Sequence, residues 1–138
     1  MNANLALIAL SKGNVKDAET YMGKASGAEG FNEANAALNI AKGSYQQAAS
    51  AANGVKSNTA ALAQILNKDY AAAKSTLNGV ANKDAYTSYL LAIVAARTND
   101  AAGVNTNLKD AVSKDSSLKS RAVKDLEFAE YKSAVESL

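Results

Sequence analysis

Cysteine, histidine, proline and tryptophan are all absent from the 138 residues of this chain. Without cysteine the chain has neither a disulfide framework nor thiolate chemistry. Without histidine it lacks the commonest general base, and the loss of both residues removes the usual zinc ligands. Catalysis would have to depend on carboxylates, lysines or hydroxyl groups, so we expect a protein that is not an enzyme and that uses no metal and no cofactor.

Aromatic residues make up only 6% of the chain, although 48% of it is hydrophobic. Much of the apolar surface must therefore be alanine, whose small side chain lets helices pack closely. Alanine, lysine, leucine and glutamine favour helix, and valine, isoleucine and threonine form no sustained alternating run. These features predict an all-α protein, and the length is typical of a single domain over residues 1–138.

The chain also has no large excess of charge of one sign and no long apolar run. The net charge is +2 and both signs are mixed along the sequence, so we expect no binding to nucleic acid. The longest apolar run, residues 89–96, is far shorter than the roughly 20 residues of a membrane span, so we expect no membrane insertion.

The N-terminal stretch MNANLALIAL lacks the basic leader and apolar length of a signal peptide. The compartment stays open between a bacterial periplasmic or surface protein whose signal has been removed and a cytoplasmic protein.

One short phrase recurs four times along the chain. Each copy begins with a turn signal and continues as a helix, and the copies are KGNVKDAETYMGKA, KGSYQQAASAANGV, NKDYAAAKSTLNGV and TNDAAGVNTNLKDA. Their turn positions are Gly13, Gly43, Lys68 and Asn99, spaced by 30, 25 and 31 residues. A unit of helix, tight turn and helix at such a period indicates an array of helix pairs.

The helices of the repeat share one apolar register. After each turn the apolar residues fall at offsets of 0, 3, 7 and 10, which traces one face of an α-helix. The four sets are Val15, Ala18, Met22, Ala25; Tyr45, Ala48, Ala52, Val55; Tyr70, Ala73, Leu77, Val80; and Ala101, Val104, Leu108, Ala111. Before each turn the matching small residues are Ala6, Ala36, Ala61 and Ala92. We expect these four alanines, with Ala48 and Ala73, to lie at buried helix contacts.

The pattern resembles the tetratricopeptide repeat family, in a divergent bacterial form. The matches are Ala6, Gly13, Ala18, Met22 and Ala25 in the first unit, Ala36, Gly43, Tyr45 and Ala48 in the second, and Ala61, Tyr70, Ala73 and Leu77 in the third. The fourth unit has Asn99 and Ala101 where glycine and an aromatic are usual, the closing proline is missing, and the periods are shorter than the family's value of about 34. The resemblance implies a right-handed α-solenoid of about four repeats, at residues 1–27, 28–55, 56–82 and 83–114, with a cap over residues 115–138.

The two ends of the predicted array differ. The C-terminal residues are expected to form a capping helix or helix pair, because the end of a solenoid must cover an apolar face and present a polar one to water. The residues expected on its buried face are Leu118, Ala122, Val123 and Leu126, and Asp125 is expected to cap a final helix. No cap precedes Leu5 and Ile8 at the other end. We therefore expect that the chain is part of a longer protein, and that the isolated chain frays or self-associates through this uncapped end.

Two short patterns admit a chemical interpretation. The stretch SSLK from Ser116 to Lys119 fits the Ser-x-x-Lys pattern of some acyl enzymes, but no partner motif accompanies it, and we interpret it as a helix cap. Asp69 and Asp100 stand at turns, where aspartate accepts backbone hydrogen bonds, and this interpretation is favoured over a metal site.

The resemblance also implies where a ligand would bind. The family's groove is lined by the first helices, and the matching positions of this chain are Tyr86, Tyr89, Ile93 and Arg97 in the fourth unit, Glu33 in the second and Asn58 in the third. Tyrosine and arginine are frequent binding hot spots. A structural alternative places both tyrosines under the capping segment and pairs Arg97 with an acid such as Asp100.

Two classes of function follow from the sequence. The first is a module that binds a peptide or another protein, of unknown identity, on the concave face of the solenoid. The second is a structural spacer or packing domain within a larger bacterial surface or envelope protein.

Overall fold

The computed structural model describes residues 1–27 and 30–138 of the chain. Every regular element among these residues is a helix, which confirms the predicted all-α class. The α-helices are α1 Asn2–Ser11, α2 Val15–Gly23, α3 Phe31–Ala41, α4 Tyr45–Ala51, α5 Asn58–Leu66, α6 Tyr70–Asn78, α7 Ala85–Arg97, α8 Ala101–Lys114, α9 Leu118–Lys124 and α10 Lys132–Glu136, and a 3₁₀ helix, Leu126–Phe128, lies between α9 and α10. The repeat boundary predicted at residue 28 lies outside the described residues.

A residue in the left-handed conformation follows the end of α1, α3, α5 and α7. The φ angles are 74° at Gly13, 75° at Gly43, 65° at Lys68 and 59° at Asn99, and these are the four turn positions predicted from the repeat. In all four turns the next residue donates its N–H to the carbonyl five residues back, at 2.8 or 2.9 Å. The left-handed residue itself donates to the carbonyl three residues back. This pair of bonds is the Schellman motif, which satisfies the carbonyls that the end of a helix leaves free.

Polar side chains cap the start of several helices. Asn14, Ser57 and Asp100 each accept a hydrogen bond from the backbone N–H three residues on, at 3.1, 3.1 and 2.9 Å respectively. The capping role expected for Asp100 is therefore confirmed. Such caps satisfy one of the free donors at a helix start and stabilise a helix by about 1 kcal/mol each.

The buried contacts of the helices are made largely by alanine. The matching small residues of α1, α3, α5 and α7, which are Ala6, Ala36, Ala61 and Ala92, have no exposed surface. Ala48 of α4 and Ala73 of α6 are also fully buried, as predicted. With only a methyl group at each contact, neighbouring backbones can lie close together, and each added methylene would be felt as overpacking.

Two compact units make up the chain, residues 1–69 and residues 70–138. In unit 1, α1 packs against α2 and α3, α3 packs against α4, and α5 packs against both α3 and α4. Ala34 and Leu38 of α3 belong to the cluster that α1 and α2 form, whereas Ala36 belongs to a second cluster with α4 and α5. The helix α3 therefore uses one face for α1 and α2 and another for α4 and α5.

In unit 2, α7 is the central element. It packs against α6, α8 and the 3₁₀ helix, while α9 and α10 pack on α8 and on each other. It contributes seven buried residues, more than any other helix in the described ranges. The division between the units falls between α5 and α6, inside the third predicted repeat, and the single domain over residues 1–138 stays a prediction.

The C-terminal segment departs from the prediction at two residues. Leu118 and Ala122 are buried as expected, but Val123 and Leu126 are 62% and 88% exposed. The prediction assumed one helical face across all four residues. Instead α9 ends before Asp125, whose ψ of 121° is that of extended chain, so the helical spacing no longer applies at Leu126. Val123 lies within α9, but it is five residues after Leu118 and therefore about 140° around the helix from it. The expected burial of Val123 and Leu126 is therefore wrong.

Substitutions at the left-handed turn residues test whether backbone strain at these positions contributes to the stability of the chain. At Gly43 a methyl group would meet no neighbouring atom, so Gly43→Ala should destabilise only through backbone strain, by about 1 kcal/mol. Lys68 already bears that strain, so Lys68→Gly should stabilise by up to about 1 kcal/mol. Asn67→Gly, one residue earlier at a φ of −85°, is the control and should not stabilise. Urea unfolding of the three variants measures the differences, and a destabilising Lys68→Gly would contradict the account.

Candidate functional site

Tyr89 lies at the centre of the region where the sequence predicts a ligand groove. Its ring packs edge-on against Phe128, with centroids 5.5 Å apart and an interplanar angle of 88°. Its hydroxyl donates a hydrogen bond to Asp125 Oδ2 at 2.6 Å. Burial, and then the bond to Asp125, raises the pKa of the Tyr89 phenol well above its usual value. The side chain has no exposed surface, so it cannot contact a ligand in this structure, which corrects its assignment to a groove.

Arg121 of α9 lies over two aromatic rings of α7. Its guanidinium carbon is 4.9 Å from the ring centroid of Tyr89 and 5.7 Å from that of Tyr86. Both distances are within the range of a cation–π contact. Tyr86 and Ile93 are half-buried and pack against the cluster that includes α9, the 3₁₀ helix and α10. The C-terminal segment therefore contacts the same face of α7 that the resemblance assigns to a ligand.

Arg97 holds a second contact with the C-terminal segment. Its Nε donates to Glu127 Oε2 at 2.6 Å and its Nη2 donates to Glu127 Oε1, so the pair is bidentate. Its Nη1 also donates to the hydroxyl of Tyr70 at 3.2 Å. Arg97 thus pairs with an acid, as the structural alternative above expects, but the acid is Glu127. Asp100, the example named there, instead caps α8 through the N–H of Gly103.

The two remaining predicted groove residues lie in unit 1. Glu33 is half-buried near the start of α3 and lines an open cleft of about 440 Å³, together with Phe31, Asn32 and Val55. Asn58 is the first residue of α5 and is half-buried. The cleft beside Glu33 is large enough to take a ligand side chain.

An apolar cleft in unit 2 was not predicted. It has a volume of about 300 Å³ and lies among α9, the 3₁₀ helix and α10. Phe128 and Val135 are buried at its wall, and the exposed side chains of Val123 and Leu126 also line it. Exposed apolar side chains beside a concave surface are a common property of binding sites.

Most of the contacts around α7 could not be predicted from the sequence because they join residues that are far apart along the chain. Arg97 and Glu127 are 30 residues apart and Tyr89 and Asp125 are 36 apart, and no helical spacing links them. The one available signal was Asp125, which the sequence predicts as a cap. It does cap the 3₁₀ helix, since its Oδ1 accepts from the N–H of Glu127 at 3.0 Å, and its other oxygen binds Tyr89.

Two further clusters in unit 2 contain hydroxyl and carboxylate groups, which are among the groups on which catalysis in this chain would depend. The hydroxyl of Ser88 donates to Asp110 Oδ2, which also pairs with Lys114 at 3.0 Å. The Ser88 bond, and then Lys114, lowers the pKa of Asp110. In the SSLK stretch, Ser117 donates its N–H and its hydroxyl to Asp115, so Asp115 is the acceptor at the start of α9 where the sequence predicted a serine cap. Within residues 1–27 and 30–138, no group of three or more acidic side chains has the geometry of a metal site.

Comparison with protein-family models, with curated proteins and with solved structures gives no match to this chain. The tetratricopeptide resemblance therefore stays a prediction. Among the described helices, none combines the length and the apolar character needed to cross a bilayer.

Tyr89→Phe tests the polar contact that joins α7 to the C-terminal segment. The change removes the donor to Asp125 and should destabilise the protein by about 1 to 3 kcal/mol at neutral pH, because the acceptor is a carboxylate. In the wild type the raised pKa of Tyr89 contributes stability that is present below about pH 10, the unfolded value, and is lost as the pH rises towards the folded value. The variant should therefore lose less stability than the wild type above pH 10.

Urea unfolding at several pH values measures both effects. Tyr45→Phe, on an exposed side chain of α4, is the matched control and should change neither the stability nor its pH profile. Equal alkaline loss in Tyr89→Phe and wild type would show that the phenol of Tyr89 is not the group responsible.

Proposed function

We propose that the chain is a tetratricopeptide-like α-solenoid of about four helix pairs that binds a peptide or a segment of another protein. The observation that supports this most is the recurrence of one left-handed turn and one buried alanine at matching positions between residues 6 and 99. A helix pair of this kind cannot bury its apolar face alone, and stacked pairs create an extended concave surface on which partners bind. The right-handed course and the number of repeats are part of the proposal.

The binding face in this proposal uses the accessible members of the predicted groove. Glu33 supplies a carboxylate beside an open cleft, and Tyr86 and Ile93 retain part of their apolar surface in unit 2. Tyr89 is left out because it is fully buried. Within unit 1, the carboxylate of Glu33 with Phe31 and Val55, which line the same cleft, would favour a segment with a basic residue and a neighbouring apolar one.

A structural spacer is the second candidate function, and one observation favours it. The C-terminal segment engages Arg97, Tyr86 and Tyr89, so the face of α7 where a partner is expected already has contacts within the chain. A spacer needs only such internal packing and no free concave face.

Selection from a random peptide library on the immobilised chain separates these functions. A binding module should enrich a consensus peptide, and Glu33→Lys for a peptide bound at unit 1, or Tyr86→Ala for a peptide bound at unit 2, should weaken its binding about fivefold or more, which corresponds to the hot-spot threshold of about 1 kcal/mol. Thermal melts of both variants establish that they remain folded. Leu126→Asp, in the apolar cleft of unit 2, is the control and should leave the affinity unchanged.

Two other outcomes of the peptide selection would contradict the proposed binding face or favour the spacer. A consensus peptide that is lost only in Leu126→Asp would move the binding face to the C-terminal cleft and contradict the groove. A library that yields no consensus, against a folded chain, would favour the spacer.

A further inference from the structure

The tripeptide Asn-Gly-Val occurs twice in the chain, at residues 53–55 and 78–80. The asparagine and the glycine are exposed in both copies. Each copy stands where a helix ends, since α4 ends at Ala51 and α6 ends at Asn78. Asparagine before glycine is prone to lose its side-chain amide, because glycine has no Cβ to hinder its own nitrogen. By sequence and by exposure the two sites are therefore equally open to this reaction.

The reaction needs the backbone nitrogen of the glycine. This nitrogen attacks Cγ of the asparagine side chain, a C–N bond forms, and the side-chain nitrogen leaves as ammonia with the proton of the glycine N–H. The product is a five-membered succinimide ring. Water then adds to one of its two carbonyl carbons and breaks one C–N bond, which gives aspartate or isoaspartate. Water is the only co-reactant, and any hydrogen bond from the glycine N–H must break before the nitrogen can attack.

The nitrogen of Gly79 is held in a helix. Its N–H donates to the carbonyl oxygens of both Ser75 and Thr76, each at 3.1 Å, which extends the hydrogen bonding of α6 one residue past its end. Attack on Asn78 would require the last turn of α6 to unwind. Thr76 and Leu77 in that turn are 3% and 0% exposed, so their packing opposes the unwinding. Asn78 is therefore protected.

The nitrogen of Gly54 has no such restraint. Within the described residues its N–H donates to no acceptor. It belongs to the central peptide of a turn that is closed by the N–H of Val55, which donates to the carbonyl of Ala52 at 2.9 Å. Gly54 has a φ of 79°, and an added methyl group there would meet no neighbouring atom. The nitrogen can therefore approach Cγ of Asn53 without the loss of a hydrogen bond.

We propose that Asn53 is a site of spontaneous deamidation, in which it forms a succinimide with the nitrogen of Gly54, and that Asn78 is protected from the same reaction by the end of α6. The difference in hydrogen bonding between two otherwise matched glycines carries the proposal. It does not depend on peptide binding, so either proposal can fail without the other.

Modification of Asn53 would change the connection between α4 and α5. Ala52 is fully buried in the cluster that these helices form with α3, and Val55 packs against it. The new carboxylate would stand near the C-terminal end of α4, where the helix dipole disfavours negative charge. In isoaspartate the main chain runs through the side chain, which lengthens the turn by one carbon atom. Because Val55 also lines the cleft beside Glu33, deamidation would alter unit 1 at that cleft.

Incubation of the full chain in mildly alkaline buffer tests the proposal. Samples taken over time are digested briefly with pepsin at acidic pH, where the reaction is slow, and mass spectrometry of the peptides measures the conversion of each asparagine. In the folded chain Asn53 should convert about tenfold faster than Asn78 or more, because Asn78 reacts only when the end of α6 opens. In a chain unfolded by guanidinium chloride the two should convert at similar rates, since both lie in the same tripeptide. A rate ratio no larger in the folded chain than in the unfolded one, or no conversion of Asn53 in the folded chain, would overturn the proposal.

Two conservative variants identify the source of the ammonia. Glutamine retains the amide but would have to close a six-membered ring, which forms much more slowly. Asn53→Gln should therefore remove most of the ammonia that the folded chain releases, whereas Asn78→Gln, the matched control at another exposed asparagine, should leave the release unchanged. Thermal melts establish that both variants remain folded. Loss of the release in Asn78→Gln, or its persistence in Asn53→Gln, would contradict the assignment.

Discussion

The left-handed residue after each first helix is the constraint on which the repeated structure depends. It redirects the chain within two residues, and its two backbone bonds satisfy the carbonyls that would otherwise be left free at the helix end. Glycine adopts this conformation without strain, and Gly13 and Gly43 are the first two examples. Lys68 and Asn99 adopt it at a cost, which the surrounding contacts must offset. The same turn therefore forms even where the turn residue is not glycine.

Alanine at the helix contacts is the second constraint. A methyl group contributes little apolar area, so stability must come from many close contacts rather than from a few large side chains. Unit 2 also buries larger side chains, among them Leu77, Leu90 and Leu108, and in it Tyr89 and Phe128 form a fully buried aromatic pair. That pair, with the bonds to Asp125 and Glu127, fastens the short C-terminal helices, which would be marginal alone at their lengths.

The parts of the structure that repeat locally could be predicted from the sequence. The turn positions and the buried alanines follow from spacing, because a period of 3.6 residues decides which side chains share a face. The contacts of Arg97 could not be predicted, since Glu127 is 30 residues away and no pattern links the two. The exposure of Leu126 was missed because a single face was extended past Asp125, where the chain leaves the helix. For the candidate groove, spacing placed Tyr86 and Tyr89 on one face of α7 but could not decide between a ligand and the capping segment as its cover, and in the fold the C-terminal segment contacts both tyrosines.

Native-state hydrogen exchange at the four turns tests the central claim most directly. The amides of Asn14, Ser44, Asp69 and Asp100 each donate the long backbone bond of a turn. If one turn geometry recurs along the chain, all four should exchange about as slowly as amides in the last turn of the helix before them. Exchange at the rate of an unprotected amide at Asp69 or Asp100, where the turn residue is not glycine, would contradict the repeat.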